Sequence, residues 1–256
     1  MTAPIVLLTD FGLADHYAGV LHAVLERDAP GVSRIDLCHD IPPGDVWGAA
    51  FRLGCAWPWL PEPCVVLSVV DPGVGTGRRA VAARHGSRWV VTPDTGLGAL
   101  SGAPDEAVEL RAGMMGLPDP SRTFHGRDLF APAAARLARG EAPDAVGDPV
   151  DPTGVSGSPL PTAERIPSGW QATVVHVDRF GNLSLNVQAA EVPEGARVRV
   201  GDGVVDRRVT TYGEGPSWQV VLLEGSARHL ELAVNGGSAA EATGLDRGDV
   251  VEVVLP

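Results

Sequence analysis

A change of rhythm partway along the chain restricts its fold more than any other feature. Up to about residue 140, strand-like and helix-like segments alternate. Ile5–Thr9 is a short buried-strand run, and Asp15 is positioned to cap a helix carrying Val20, Leu21, Val24 and Leu25 on one face. Ser33–Cys38 reads as a strand, and Asp45 as the cap of a helix running to about Trp57 and ended by prolines. Val65–Val70 has the character of a central strand. Arg79–Ala83 and Arg88–Thr92 read as further strands joined at Gly86-Ser87, and Asp128–Arg139 as an Ala-rich helix with Asp128 at its cap. Such alternation predicts an α/β domain with a mostly parallel, Rossmann-like sheet covered on both faces. After a proline-rich stretch over 141–168, only short strands punctuated by Gly and Pro follow, at 171–177, 183–187, 196–200, 204–211, 217–223, 229–234 and 249–254. That predicts an all-β module, a barrel or a sandwich. The expected division is an α/β domain over 1–160 and a β domain over 169–256.

Composition removes several classes of chemistry. All 20 basic residues are arginine, with no lysine in the 256-residue chain. Schiff-base enzymes, the P-loop GxxxxGK[ST] and the kinase lysine are therefore excluded, so the TDFG at 9–12 is not a kinase DFG. A net charge of −12 argues against nucleic acid as the main partner. Cys38, Cys55 and Cys64 form no CxxC pair, which disfavours a disulfide framework or a structural zinc site. The start MTAPIVLLTD has no basic n-region, and no apolar run approaches the roughly 20 residues of a membrane span. A cytoplasmic location without membrane attachment is the expectation.

In an open α/β sheet, ligands bind beyond the carboxyl ends of the strands. Three such ends carry an aspartate and a glycine turn: Thr9-Asp10-Phe11-Gly12, Asp71-Pro72-Gly73 with Arg78-Arg79 beyond it, and Pro93-Asp94-Thr95-Gly96. Any one of them is an ordinary turn; three on one edge suggest a site. Gly73-Val74-Gly75-Thr76-Gly77 fails the GxGxxG spacing, so a dinucleotide site is disfavoured. His125, just ahead of the Ala-rich helix, would with Asp71 and Arg78 form an acid/base cluster needing neither lysine nor thiol. The histidines, among them His16, His39, His85, His125, His176 and His229, show no HxH or HExxH spacing, and no metal is expected. In the β module, Asp178-Arg179-Phe180-Gly181-Asn182 is either a hairpin turn or a platform on which an Asn amide meets a planar base. Ser226 and Val234-Asn235-Gly236 are turn positions with spare polar groups.

The segments TDFGLADHYAG (9–19), DLCHDIPPGDV (36–46), VVDPGVGTGRR (69–79), PDTGL (93–97), TFHGRDLFAPAAA (123–135), VDRFGNLSLN (177–186) and VNGGSA (234–239) together resemble the S-adenosyl-L-methionine (SAM) hydroxide adenosyltransferases. These are adenosine-forming SAM hydrolases related to fluorinase and chlorinase. The resemblance implies an N-terminal α/β domain, a C-terminal β-barrel and a homotrimer with active sites at subunit interfaces. It implies a catalytic triad of Asp71, Arg78 and His125. Asp10 would hold the ribose hydroxyls, with Asp15 and His16 nearby. Asp178 and Ser226 would contact methionine, and Asn182 with the backbone of Val234, Asn235 and Gly236 would read adenine. No cofactor or metal is implied, SAM being the substrate. Two departures stand out: Thr95 where the family usually has Asn, and Gly44 after the IPP. The alternatives are a SAM-dependent halide transferase on the same scaffold, whose relatives typically carry Tyr for the triad Asp and lack the Arg and His, and a SAM or adenosine sensor without turnover.

Overall fold

The computed structural model describes residues 2–100, 102–116 and 120–256, and the chain divides into two units, 1–159 and 160–256. In the first, β3 (Cys64–Val69) is buried along its whole length, as an apolar, β-branched run between two neighbours must be. It pairs in parallel with β1 (Ile5–Thr9) on one side and β5 (Arg88–Pro93) on the other. Outside β1 lies β2 (Arg34–Cys38), also parallel; outside β5 lie β4 (Ala80–His85), β6 (Glu106–Leu110) and β7 (Gly147–Val150), all antiparallel to their neighbours. The seven-stranded order is β2-β1-β3-β5-β4-β6-β7.

The expectation of a mostly parallel sheet is thus corrected: the sheet is mixed. Gly86-Ser87 makes β4 and β5 a hairpin, and a two-residue connection can only join antiparallel strands. The proline-rich stretch contributed the unforeseen β7, whose Pro149 sits on the outermost strand, where a missing N–H is tolerated.

Alternate side chains of β1 point to opposite faces. Ile5 and Leu7 join a core with α1 (Tyr17–Asp28) and α3 (Ala131–Ala138); Val6 and Leu8 join one with α2 (Val46–Ala56). The sheet is therefore covered on both faces. Asp45 caps α2 by accepting from Gly48 N at 2.8 Å, as expected. Asp15 caps nothing: α1 begins after His16 with no side-chain cap. Nor is Asp128 an N-cap. It lies inside a wide, π-helical turn, Gly126–Phe130, that leads into α3, and it is 4% exposed.

The second unit holds β8 (Glu164–Ile166), β9 (Gly169–Val177), β10 (Leu183–Gln188), β11 (Arg197–Val200), β12 (Gly203–Val205), β13 (Val220–Glu224), β14 (His229–Val234) and β15 (Val250–Val254), with one short helix, α4 (Ala239–Thr243). They form one antiparallel sheet, ordered β12-β11-β15-β9-β10-β14-β13, with β8 added to β9. The nine-residue β9 pairs with β15 through its first half and with β10 through its second. Just beyond β12, the backbone of Arg207 and Val209 bonds to Leu222 of β13, so the two ends of the sheet nearly close on each other. The core follows the two-residue period, with Leu183, Leu185 and Val187, then Leu230, Leu232 and Val234, then Val251 and Val253 all inward. No helix among the described residues is long and apolar enough to cross a membrane.

Candidate active site

The strand directions decide where the chemistry gathers. Because β1, β3 and β5 are parallel, Thr9, Val69 and Pro93 end on one edge. Because β4 is antiparallel to β5, with Ala80 opposite Pro93, the chain re-enters the sheet at that same edge. The 70–79 loop therefore leaves and returns on one side, which lets Arg78 fold back onto Asp71. Arg78 Nε donates to Asp71 Oδ1 at 2.9 Å, and its Nη2 donates both to Asp71 Oδ2 and, at 3.0 Å, to His125 Nδ1. Gly73 N adds a bond to Asp71 Oδ1 at 3.2 Å. The guanidinium lies 5.3 Å from the centre of the buried Phe130 ring, giving it an apolar floor.

This hydrogen bonding fixes the state of the imidazole. A guanidinium can only donate, so His125 Nδ1 accepts and the ring proton is assigned to Nε2. Burial lowers the His125 pKa below its ordinary value, and the neighbouring Arg78 charge lowers it further, against smaller opposite effects of Asp71 and Asp128. The segment that carries His125 is held by Asp128, which takes two bonds from Arg127 (2.5 and 2.7 Å) and one from Ser121 N (2.7 Å).

Asp71 and His125 line a recess of about 210 Å³ together with Asp10, Phe11, Tyr17, Val69, Val74, Thr123, Phe124 and Gly126. Desolvation pushes the Asp10 carboxyl above its usual range and Asp71 adds to this, while Gly44 N, donating at 2.8 Å, pulls it back. Gly44, which gives that bond, has φ +73°, a conformation glycine adopts without strain.

The third strand-end aspartate does not reach the recess. Asp94 pairs with Arg79 (Nε to Oδ2, 2.9 Å) and accepts from Ser156 N at 2.8 Å, so it anchors the return of the loop. The Thr95 hydroxyl and backbone N–H both donate to the Pro93 carbonyl, and Thr95 does not line the recess. Asp15 and His16 are exposed and do not line it; His16 stacks on Tyr17 at 4.4 Å.

Sequence reasoning missed the aromatic corner. Phe11, Tyr17 and Phe124 meet at ring separations of 5.2–5.9 Å and form the apolar wall. The signal was present, since each aromatic lies within a motif already singled out for its polar residues.

In the second unit, Asp178, Asn182, Ser226, Val234, Asn235 and Gly236 line one larger recess of about 760 Å³, with Phe180, Tyr212 and Gly237. Asp178 Oδ1 accepts from the backbone of Phe180 (2.8 Å) and Asn182 (2.9 Å), and Oδ2 from Asn182 Nδ2 (2.9 Å). The 178–182 segment is thus a hairpin turn that is also a polar platform. The Asn182 side chain donates one amide hydrogen to Asp178. Among buried carboxyls, Glu231 is pushed up by desolvation and accepts from Tyr212 Oη at 2.7 Å.

The model of the SAM hydroxide adenosyltransferase N-terminal domain matches residues 5–147, and that of the C-terminal domain matches 172–252. A Thermus thermophilus protein named (R)-S-adenosyl-L-methionine hydrolase is 45% identical over 98% of this chain and 99% of its own. A Salinispora tropica protein of the same name is 40% identical over 96% and 95%. A Nocardia brasiliensis protein named fluorinase matches at 24% identity over 97% and 96%. The crystal structure of an uncharacterised conserved protein from Thermotoga maritima superposes with a TM-score of 0.88, at 32% identity, over 97% of this chain and 99% of that one. With both domain models matched and near full-length relatives at 40–45% identity, the chain belongs to the SAM hydroxide adenosyltransferase family.

Proposed function

We propose that this chain is an enzyme that hydrolyses S-adenosyl-L-methionine to adenosine and L-methionine by attack of water at C5′. The observation that carries the reading is the linked Asp71–Arg78–His125 group, whose Asp71 and His125 line a partly aromatic recess. The sulfonium leaves as a neutral thioether and needs no proton, so catalysis falls on the water. The carbon–sulfur bond breaks as the oxygen–carbon bond forms, and one proton must leave the water.

Asp71 Oδ1 already accepts from Arg78 Nε and Gly73 N, so Oδ2, which accepts from Arg78 Nη2, keeps the lone pair that takes that proton. His125, neutral with hydrogen on Nε2, donates to the water oxygen and aims its remaining lone pair at C5′. Arg78 fixes the orientation of both and supplies positive charge where hydroxide character develops. In this reading Asp10 bonds the ribose hydroxyls, and the Phe11–Tyr17–Phe124 wall excludes competing water. The reaction draws on side chains alone, without cofactor or metal.

The recess in the second unit supplies the remaining binding groups: Asp178 and Ser226 toward methionine, and Asn182 with the Val234, Asn235 and Gly236 backbone toward adenine. In this proposal the two halves of a site come from neighbouring subunits of a homotrimer, with Asp15 and His16 at its rim. Support for the division is that each set of residues lines a recess within its own unit.

A halide transferase is disfavoured because a halide would meet the Asp71 carboxylate, and like charges repel. The test is incubation with SAM, with and without chloride, and mass identification of the nucleoside. Adenosine in both supports hydrolysis. A 5′-chloro-5′-deoxyadenosine product would assign the halogenase chemistry, and bound but unchanged SAM a sensor.

A further inference from the structure

Three side chains from separate elements converge next to β1, outside the recess just described. His22 on α1 and His39 just after β2 both direct Nε2 at one oxygen, Asp36 Oδ1, at 2.9 and 3.1 Å. The ring centres are 6.4 Å apart, and one donor atom from each of the three residues lies within 4.8 Å of the others. We infer that His22, Asp36 and His39 bind one divalent first-row transition-metal ion of the zinc class.

The donor set selects the class. Two imidazoles and one carboxylate suit Zn²⁺, Co²⁺ or Ni²⁺, whereas Mg²⁺ and Ca²⁺ prefer all-oxygen shells. An ion about 2.1 Å from each ligand in tetrahedral geometry separates neighbouring donors by about 3.4 Å. The present Nε2–Oδ1 spacings reach that by opening only a few tenths of an ångström. Asp36 is about half exposed, at 52%, so solvent can supply a fourth ligand, while the His39 side chain is 4% exposed and held rigidly.

His39 also has the outer partner that metal-bound histidines require. Its Nδ1 lies 2.7 Å from the buried Thr9 Oγ1, which accepts in turn from Phe11 N at 3.3 Å. Without metal, the Thr9 hydroxyl donates to Nδ1 and Nε2 carries the proton given to Asp36. An ion on Nε2 moves that proton to Nδ1, which then donates to Thr9, so the bond reverses with no net proton gained or lost on the ring. The carbonyl of His39 accepts from Gly12 N at 2.8 Å, so the ion would sit one residue-layer behind the Asp10 turn. Of the three thiols, those of Cys55 and Cys64 are weak competing ligands, because burial pushes their pKa values up to about 11. The spacing 22, 36, 39 matches no linear motif, which is why inspection of the sequence misses it.

The test titrates chelator-stripped, full-length protein with Zn²⁺ by calorimetry and with Co²⁺ by visible absorption, alongside His22→Gln and Asp36→Asn, both at partly exposed positions. One equivalent bound by the parent protein, weakened at least about tenfold in each variant, is expected. No stoichiometric binding by the parent, equal affinity in the variants, or a thiolate-to-cobalt absorption band assigning the ion to a cysteine would each overturn the inference.

Discussion

Replacing Arg78 by Lys isolates geometry from charge in a chain that has no lysine of its own. Arg78 makes two bonds to Asp71 and one to His125 from two nitrogens, Nε and Nη2, in one plane. An ammonium keeps the positive charge but cannot form the planar fork, so one charge-assisted bond to Asp71 is lost and the hold on His125 loosens. Hydrogen bonds to charged groups contribute about 1.5–3 kcal/mol each. If that bond is realised in the transition state, kcat/KM falls by about 10- to 150-fold at about 1.4 kcal/mol per tenfold. The loss should appear in kcat, because Arg78 orients the reacting water rather than the substrate. The assay is adenosine formation by liquid chromatography, with thermal unfolding measured in parallel to confirm that the variant is folded. A folded Arg78→Lys protein with kcat within about threefold of the parent would refute the argument that the fork matters.

Three further outcomes follow from the same geometry. Asp71→Asn and His125→Ala should each lower kcat at least about a hundredfold, the common scale for general acid–base groups, while SAM binding by calorimetry changes little; a large loss of affinity with kcat preserved would reassign them to binding. Because burial and Arg78 hold the His125 pKa low, the imidazole stays neutral as pH falls past its ordinary value of about 6.5, and the acid limb of kcat lies below that value; Arg78→Gln should move the His125 titration upward, and a downward or absent shift in its NMR titration would contradict the assignment. Gly96 has φ +106°, and a Cβ there would collide with the Gly157 carbonyl and Pro159, so Gly96→Ala should destabilise the first unit by more than about 1 kcal/mol in denaturant unfolding; an unchanged midpoint would show that the 94–98 turn relaxes freely.

How much of this was legible in the sequence depended on whether the information was local. The strand runs of β1 and β3 announce themselves through long apolar stretches, and Asp45 caps α2 because an Asx cap needs only its own following turn. Pairing direction is not local. The alternation of strands and helices suggested parallel neighbours, yet the short Gly86-Ser87 connection, visible in the sequence, already required β4 to run back against β5. The same reversal brings Arg78 home to Asp71. Asp71, Arg78 and His125 stand out as chemical types in distinctive motifs, and the structure joins them. The parts of the site least visible were those acting through backbone or apolar contact. Gly44 matters for one N–H, and Phe11, Tyr17 and Phe124 for a wall that exists only after β1, α1 and α3 pack. Asp15 and Asp128 were misjudged as helix caps because aspartate before a helix is common; Asp128 is instead claimed by Arg127 and Ser121.

In the proposed reaction, water held by Asp71, Arg78 and His125 attacks C5′ of SAM. Turnover in ¹⁸O-labelled water, with the label's position read by mass spectrometry of the adenosine, distinguishes this route. One ¹⁸O at the 5′ oxygen is expected, and Asp71→Asn should form less adenosine but with the same ¹⁸O enrichment. Adenosine without ¹⁸O, or unconverted SAM in the presence of correctly folded protein, would contradict it.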